Sequence, residues 1–256
     1  MSLKAYQSAW IKSIFSETQP LNPDNLSTIE QAHLQNWNQA QTLQQALYQK
    51  VADYVLESVP TTLKRLSEPH QLSPLIHLFL KHQKSIAFHQ QRQFEIQLLR
   101  FLSETTLAQD SHFGEMCRYE MSLKSLSFYQ LPVPLPTGTG PVLASWARVI
   151  YLGPHFPLLL QALTTSEHQE TQAQWPTQPA TPYLLLREFK GPRLLPLSPW
   201  MADILDQCKG QKTWEALIED ILKNYPRLNL VAERESLLRA EQAYLKEGIL
   251  LKATSA

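Results

Sequence analysis

"SPWMADILDQCKGQKTWEALIEDI", residues 198–221, decides the fold of the C-terminal half. Ser198 ahead of Pro199 is a helix start: the hydroxyl can accept a free backbone N–H, and proline fits the first helical position, where its missing N–H costs nothing. Lys209 and Gly210 end that helix, a cation at the negative end of the helix dipole followed by a residue free to take positive φ. Thr213 starts a second helix through Trp214, Leu217, Ile218 and Leu222, which runs out before Pro226. Trp200 and Trp214 read as core residues that join the two helices.

Outward from this stretch, "YLLLREF" (183–189) and "RLLPL" (193–197) are short apolar runs parted by Gly191, the pattern of a β-hairpin. On the other side a third helix spans about 232–246 and closes on Gly248, and "ILLK" follows as a short strand or tail. The order predicts a small α+β, winged-helix-like unit over 182–252.

The first half reads differently. Leu3, Tyr6, Trp10, Ile14 and Phe15 fall along one side of a helix. Ser27 with Glu30 is a capping box, opening a helical stretch through Ile29, Trp37, Leu43, Leu47, Val51 and Val55 to Pro60. Further helices are predicted at about 72–82, 92–107 and 111–127, with no strand-like alternation to compete. The fold class is therefore mainly α, a helical domain at 1–130 and the α+β unit at 182–252. Between them, 131–181 reads as linker, with "LPVPLPTGTGP" (131–141) and "TTSEHQETQAQWPTQPATP" (164–182) flanking a short ordered element at 142–163.

Composition limits the chemistry. Lys plus Arg and Asp plus Glu are 23 each, so no net charge draws the chain to nucleic acid or an anionic membrane. The N-terminus lacks an apolar signal core and no apolar run approaches the roughly 20 residues of a bilayer span, which predicts a cytoplasmic protein. Seven glycines form neither GxxxxGK[ST] nor GxGxxG, and HExxH and GxSxG are absent. Cys117 and Cys208 make no CxxC and read as reduced core residues. His77, His82 and His89 lack the i, i+3 or i+4 spacing and the nearby carboxylate of a metal site, and Cys117 and His112 lie on opposed sides of a helix. Neither a metal site nor a catalytic residue is assigned.

A winged helix would suggest DNA, with the third helix in the major groove. Here that helix, "ERESLLRAEQAYLKE" (233–247), sets Arg234, Arg239 and Lys246 against Glu233, Glu235, Glu241 and Glu247, and is net acidic. An extended peptide needs no basic face: it can add to a hairpin edge while the adjacent helix supplies side-chain contacts. A DNA-binding transcription regulator is the alternative.

The run "YLLLREFKGPRLLPLSPWMADILDQCKGQKTWEALIEDI" with the closing "LLRAEQAYLKEGIL" resembles the PqqD-like RiPP recognition element, which holds the leader of a ribosomally made precursor peptide. Pro196 departs from what a fully hydrogen-bonded peptide-carrying strand needs. The whole-chain layout resembles the HvfC family and its relatives MbnC and TglI, partner proteins of multinuclear non-haem iron-dependent oxidases. Tyr6 to Trp10 is similar to that family's opening helix, "MCRYEMSL" (116–123) to its mid-chain helix and "LREFKGPRLLPLSP" to its tail, whereas "LQNWNQAQ" (34–41) stands in place of its Arg-rich second-helix signature. The resemblance implies a non-catalytic accessory subunit in a heterodimer, with the iron in the partner oxidase and no cofactor in this chain. It implies a peptide site at Arg193, Leu194, Leu195 and Leu197 with Arg234, Leu237, Leu238 and Glu241, and a partner interface at Arg118 and Glu120. For Leu237 and Leu238 a place in the core is an equal alternative, and for Arg118 and Glu120 the solvated side of an amphipathic helix is the favoured reading.

Overall fold

The computed structural model describes residues 42, 45, 46, 48–67, 69–82, 91–109, 111–127, 138–164, 179–225 and 230–253. The helix expected from Leu3 to Phe15, the Ser27–Glu30 box, "LQNWNQAQ" and residues 131–137 and 165–178 of the expected linkers lie outside them. The chain divides into two compact units, Met1–Gln109 and Asp110–Ala256.

In the first unit the described residues are helical: α1 (48–58), α2 (Thr61–Leu66), α3 (Pro69–His82) and α4 (Gln91–Ser103), then a 3₁₀ turn at Thr106–Gln109. Leu72, Ile76, Phe79 and Leu80 recur at three- and four-residue steps on α3 and are buried, as are Phe94, Leu98, Leu99 and Leu102 on α4. Phe79 sits against Phe94 and Phe101 with ring centroids 5.8 and 5.4 Å apart. His77 stacks on Tyr48 at 5.2 Å, and the Tyr48 hydroxyl donates to its carbonyl.

The second unit holds α5 (Ser111–Ser125), β1 (Pro141–Leu143), β2 (Ala147–Leu152), α6 (Phe156–Thr164), β3 (Thr181–Glu188), β4 (Gly191–Pro196), α7 (Pro199–Gln207), α8 (Trp214–Asn224), α9 (Leu230–Lys246) and β5 (Leu250–Lys252). β2, β3 and β4 form an antiparallel sheet in that order, and β1 pairs with β5 in a second, two-stranded sheet. Among the described residues the chain is thus mainly helical, with small sheets in its C-terminal half.

Two expected boundaries move. The segment 142–163 is no isolated element in a linker: it supplies β1, β2 and α6, and β2 is a full member of the hairpin's sheet. The first domain ends at 109 and not at 130, because α5 belongs with the sheet. Glu115 Oε1 accepts the N–H of Gly153 at 2.8 Å, and Arg187 of β3 donates to the carbonyls of Leu123 and Leu126 at 3.2 and 2.9 Å. A cation on the carbonyls at the C-terminal end of α5 adds charged hydrogen bonds there and suits the negative end of the helix dipole.

The sheet is covered on both faces, which accounts for five consecutive buried residues, Pro182 to Leu186, in β3. Leu184 and Leu186, with Ala147 and Val149, point into a core built by Ile204, Leu205, Trp214, Leu217 and Leu237. On the opposite face Leu185 is fully buried, Tyr183 donates to the carbonyl of Pro154 at 3.2 Å, and Tyr119 of α5 packs on Phe156 of α6 at 5.2 Å.

Three helix ends match their local signals, whereas α7 stops at Gln207, ahead of the expected Lys209 and Gly210, because Lys209 bridges to Val142 of β1. Ser198 Oγ accepts from the N–H of Met201 at 3.4 Å, and Thr213 Oγ1 from that of Ala216 at 3.3 Å. Gly248, at φ +71°, closes α9 while Ile249 N–H reaches back to the Tyr244 carbonyl at 2.9 Å and Gly248 N–H to that of Leu245 at 3.2 Å. Glu188 pairs with Gly191 across a two-residue turn, and Gly191 stands at φ +127° with open space around it, so backbone conformation and not crowding calls for glycine there.

Candidate functional site

β4 is an outer strand, and among the described residues no strand pairs with its far side. Register fixes what that side presents. Leu197 N–H donates to the Pro182 carbonyl at 3.0 Å, in line with the pairs Tyr183–Pro196 and Leu184–Leu195. In an antiparallel ladder, pairs that exchange hydrogen bonds alternate with pairs that do not. Residues 191, 193, 195 and 197 therefore bond β3, while Pro192, Leu194 and Pro196 turn their main-chain groups outward. The Arg187 N–H bond to the Trp146 carbonyl, 2.9 Å, agrees, since it commits the residue opposite Pro192 to β2. Both prolines sit where their missing N–H leaves the ladder intact. The open side of β4 thus carries the carbonyls of residues 192, 194 and 196 but one N–H, that of Leu194.

Side chains alternate across the strand. Arg193, Leu195 and Leu197 share the face of Leu184 and Leu186, and Leu195 and Leu197 are partly buried against the core below. Leu194 lies on the other face, beside Leu185 and Arg148. Arg193 is bracketed by two carboxylates, Glu188 at 3.5 Å and Glu247 at 3.3 Å, so it ties the hairpin to the end of α9. At 46% side-chain exposure such pairs contribute ~0.2–1 kcal/mol each and exchange easily with an incoming charge. Beside Arg193 opens a cleft of about 500 Å³, floored by Trp146, Leu186 and Ile249 and rimmed by Glu188, Arg193 and Glu247. Phe189 stands at its edge, 75% exposed.

The α9 residues expected to face the peptide do not assemble as one set. Leu237 is 1% exposed, and the Trp214 indole donates to its carbonyl at 2.9 Å, which places it in the core and out of reach of a surface ligand. Leu238 is partly buried against the same core, and Arg234 is exposed. Glu241 belongs to a different hollow, with Thr213, Glu215 and Lys252, where burial and then the Glu215 carboxylate raise its pKa against an opposing effect of Lys252. The residue at the end of α9 that reaches Arg193 is instead Glu247, and Tyr244 and Ala240, three and seven residues before it, fall on the same helical face and are partly buried against the core. Burial, followed by the Glu247 charge, pushes up the Tyr244 phenol. The signal for this stripe was the helical period counted from a buried Leu237.

On α5, Arg118 is exposed and Glu120 half-buried, while Met116, Cys117 and Tyr119 are buried. Burial first, then Glu120, pushes the Cys117 thiol up to about 12, with Arg118 opposing; burial likewise carries Cys208 to about 12. Both thiols are therefore protonated near neutral pH, without the thiolate a nucleophile needs. Among the described residues no three His, Cys, Asp or Glu side chains gather as metal ligands, and no helix is long and apolar enough to cross a membrane. No protein-family model matches the chain, and neither does any curated protein.

Proposed function

We propose that the chain is a non-catalytic accessory subunit that holds the leader of a ribosomally made precursor peptide for an iron-dependent oxidase. The observation that carries the reading is β4, an outer strand with an unpaired side among the described residues, followed by three helices, of which α9 ends beside it. A sheet of three strands followed by three helices supports the winged-helix-like, PqqD-like assignment of this region. The peptide site consists of Arg193, Leu194, Leu195 and Leu197, with Ala240, Tyr244 and Glu247 in place of Arg234, Leu237, Leu238 and Glu241. Arg118 and Glu120, on α5, remain the proposed contacts to the oxidase, which would carry the iron.

The test is affinity capture of the tagged chain from its native lysate with a high-salt wash, followed by mass spectrometry and iron analysis. Recovery of an iron-containing oxidase with a short peptide is the expected result. DNA retained at low salt and released at high salt, with no protein partner, would instead establish the regulator.

A further inference from the structure

We propose that the open side of β4 is a one-donor edge, which selects an extended peptide by the N–H groups that the peptide itself supplies. The inference rests on the peptide-docking reading above and sharpens it. A strand laid along β4 sets three alternate residues against Pro192, Leu194 and Pro196. Each of the three can give its N–H to a β4 carbonyl, but only the residue opposite Leu194 receives an N–H in return. The peptide's carbonyls opposite the two prolines meet pyrrolidine rings and stay with water. Such a peptide must carry an unsubstituted amide at all three alternate positions, which excludes proline there. Proline is tolerated at the positions between, whose N–H points away from β4. A second copy of the chain is a poor occupant, because β4 set against β4 brings the same missing donors from both sides. That distinguishes a peptide-receiving edge from one that self-associates.

The probe is a twelve-residue peptide enriched from an mRNA-displayed random library on the immobilised full-length chain, then synthesised with a fluorophore. Leu194→Pro and Leu194→Ala both remove the isobutyl group, but only the first removes the N–H, so Leu194→Pro should bind about tenfold more weakly than Leu194→Ala. Pro192→Ala and Pro196→Ala each supply a donor and should tighten binding about three- to tenfold. N-methylation along the peptide, which leaves the protein unaltered, should weaken binding at alternate positions only. By amide exchange, Leu194 should exchange fast in the free chain and slowly in the complex.

Equal affinities for the two Leu194 variants together with a flat N-methylation scan would overturn the edge inference and leave peptide docking standing. So would a Leu194 amide already protected in the free chain. Failure of any peptide to enrich on the full-length chain would overturn both.

Discussion

Leu237→Ala separates a core role from a peptide-binding one. Leu237 is 1% exposed, among Trp214, Leu217, Ile218 and Leu205, on the helix whose main chain Trp214 grips. Truncation removes three buried carbons, about 2.4 kcal/mol at ~0.8 kcal/mol each. The cavity left between helices that cannot collapse fully brings the loss to about 3 kcal/mol. Within a unit of this size such a loss lowers the unfolding midpoint by about 10 °C. Urea unfolding followed by tryptophan fluorescence reads the loss directly, and Leu238→Ala, only partly buried, should lose about 1 kcal/mol under the same conditions. At a temperature where Leu237→Ala stays folded its peptide affinity should match the parent's. A loss below about 1 kcal/mol accompanied by weakened peptide binding would refute the assignment of Leu237 to the core.

Arg187→Met should destabilise the second unit by about 2 kcal/mol, since it strips a charged donor from two helix-end carbonyls; limited proteolysis should then release α5. Gly140→Ala should destabilise by ~2 kcal/mol or more in urea, because an added Cβ would stand 1.7 Å from the Lys212 carbonyl oxygen and force backbone apart. Cys117 and Cys208 should resist a maleimide at pH 8 in the folded chain and react on unfolding. Their folded pKa, about 12, lies above the ordinary thiol value of 9.0, so the stability of the buried, protonated thiols is complete below about pH 9 and is lost as pH rises toward the folded value. Across that window stability should fall by about 1.4 kcal/mol per thiol per pH unit, read by urea midpoints.

What the sequence disclosed was local. The caps at Ser198 and Thr213 and the stop at Gly248 are each written within a few residues, and the structure has them where the residue types put them. The hairpin was legible for the same reason, since Gly191 separates two apolar runs. β2 was not. "ARVIYL" shows no clean alternation because both faces of its sheet are covered, so nothing in the run distinguishes a strand from a buried helix turn. The place of α5 was equally hidden: it depends on Arg187 and Gly153, more than 30 residues away in sequence. At the candidate site, β4 was found from its leucines, and Pro196 looked like a defect. Only the pairing register shows that both prolines face outward and turn a symmetric edge into one of acceptors. On α9, the resemblance implied Arg234, Leu237, Leu238 and Glu241, whereas Leu237 is buried under Trp214 and the side chain at the end of α9 that reaches Arg193 is Glu247.

The most direct measurement is a fluorescence-anisotropy titration of the full-length chain against the peptide recovered in the capture experiment, with duplex DNA as the competitor, at low and at high salt. The account predicts saturable peptide binding that changes little with salt, is unaffected by DNA and weakens in Leu194→Pro. Steep, salt-sensitive binding of DNA that displaces the peptide, or peptide binding indifferent to β4, would contradict it.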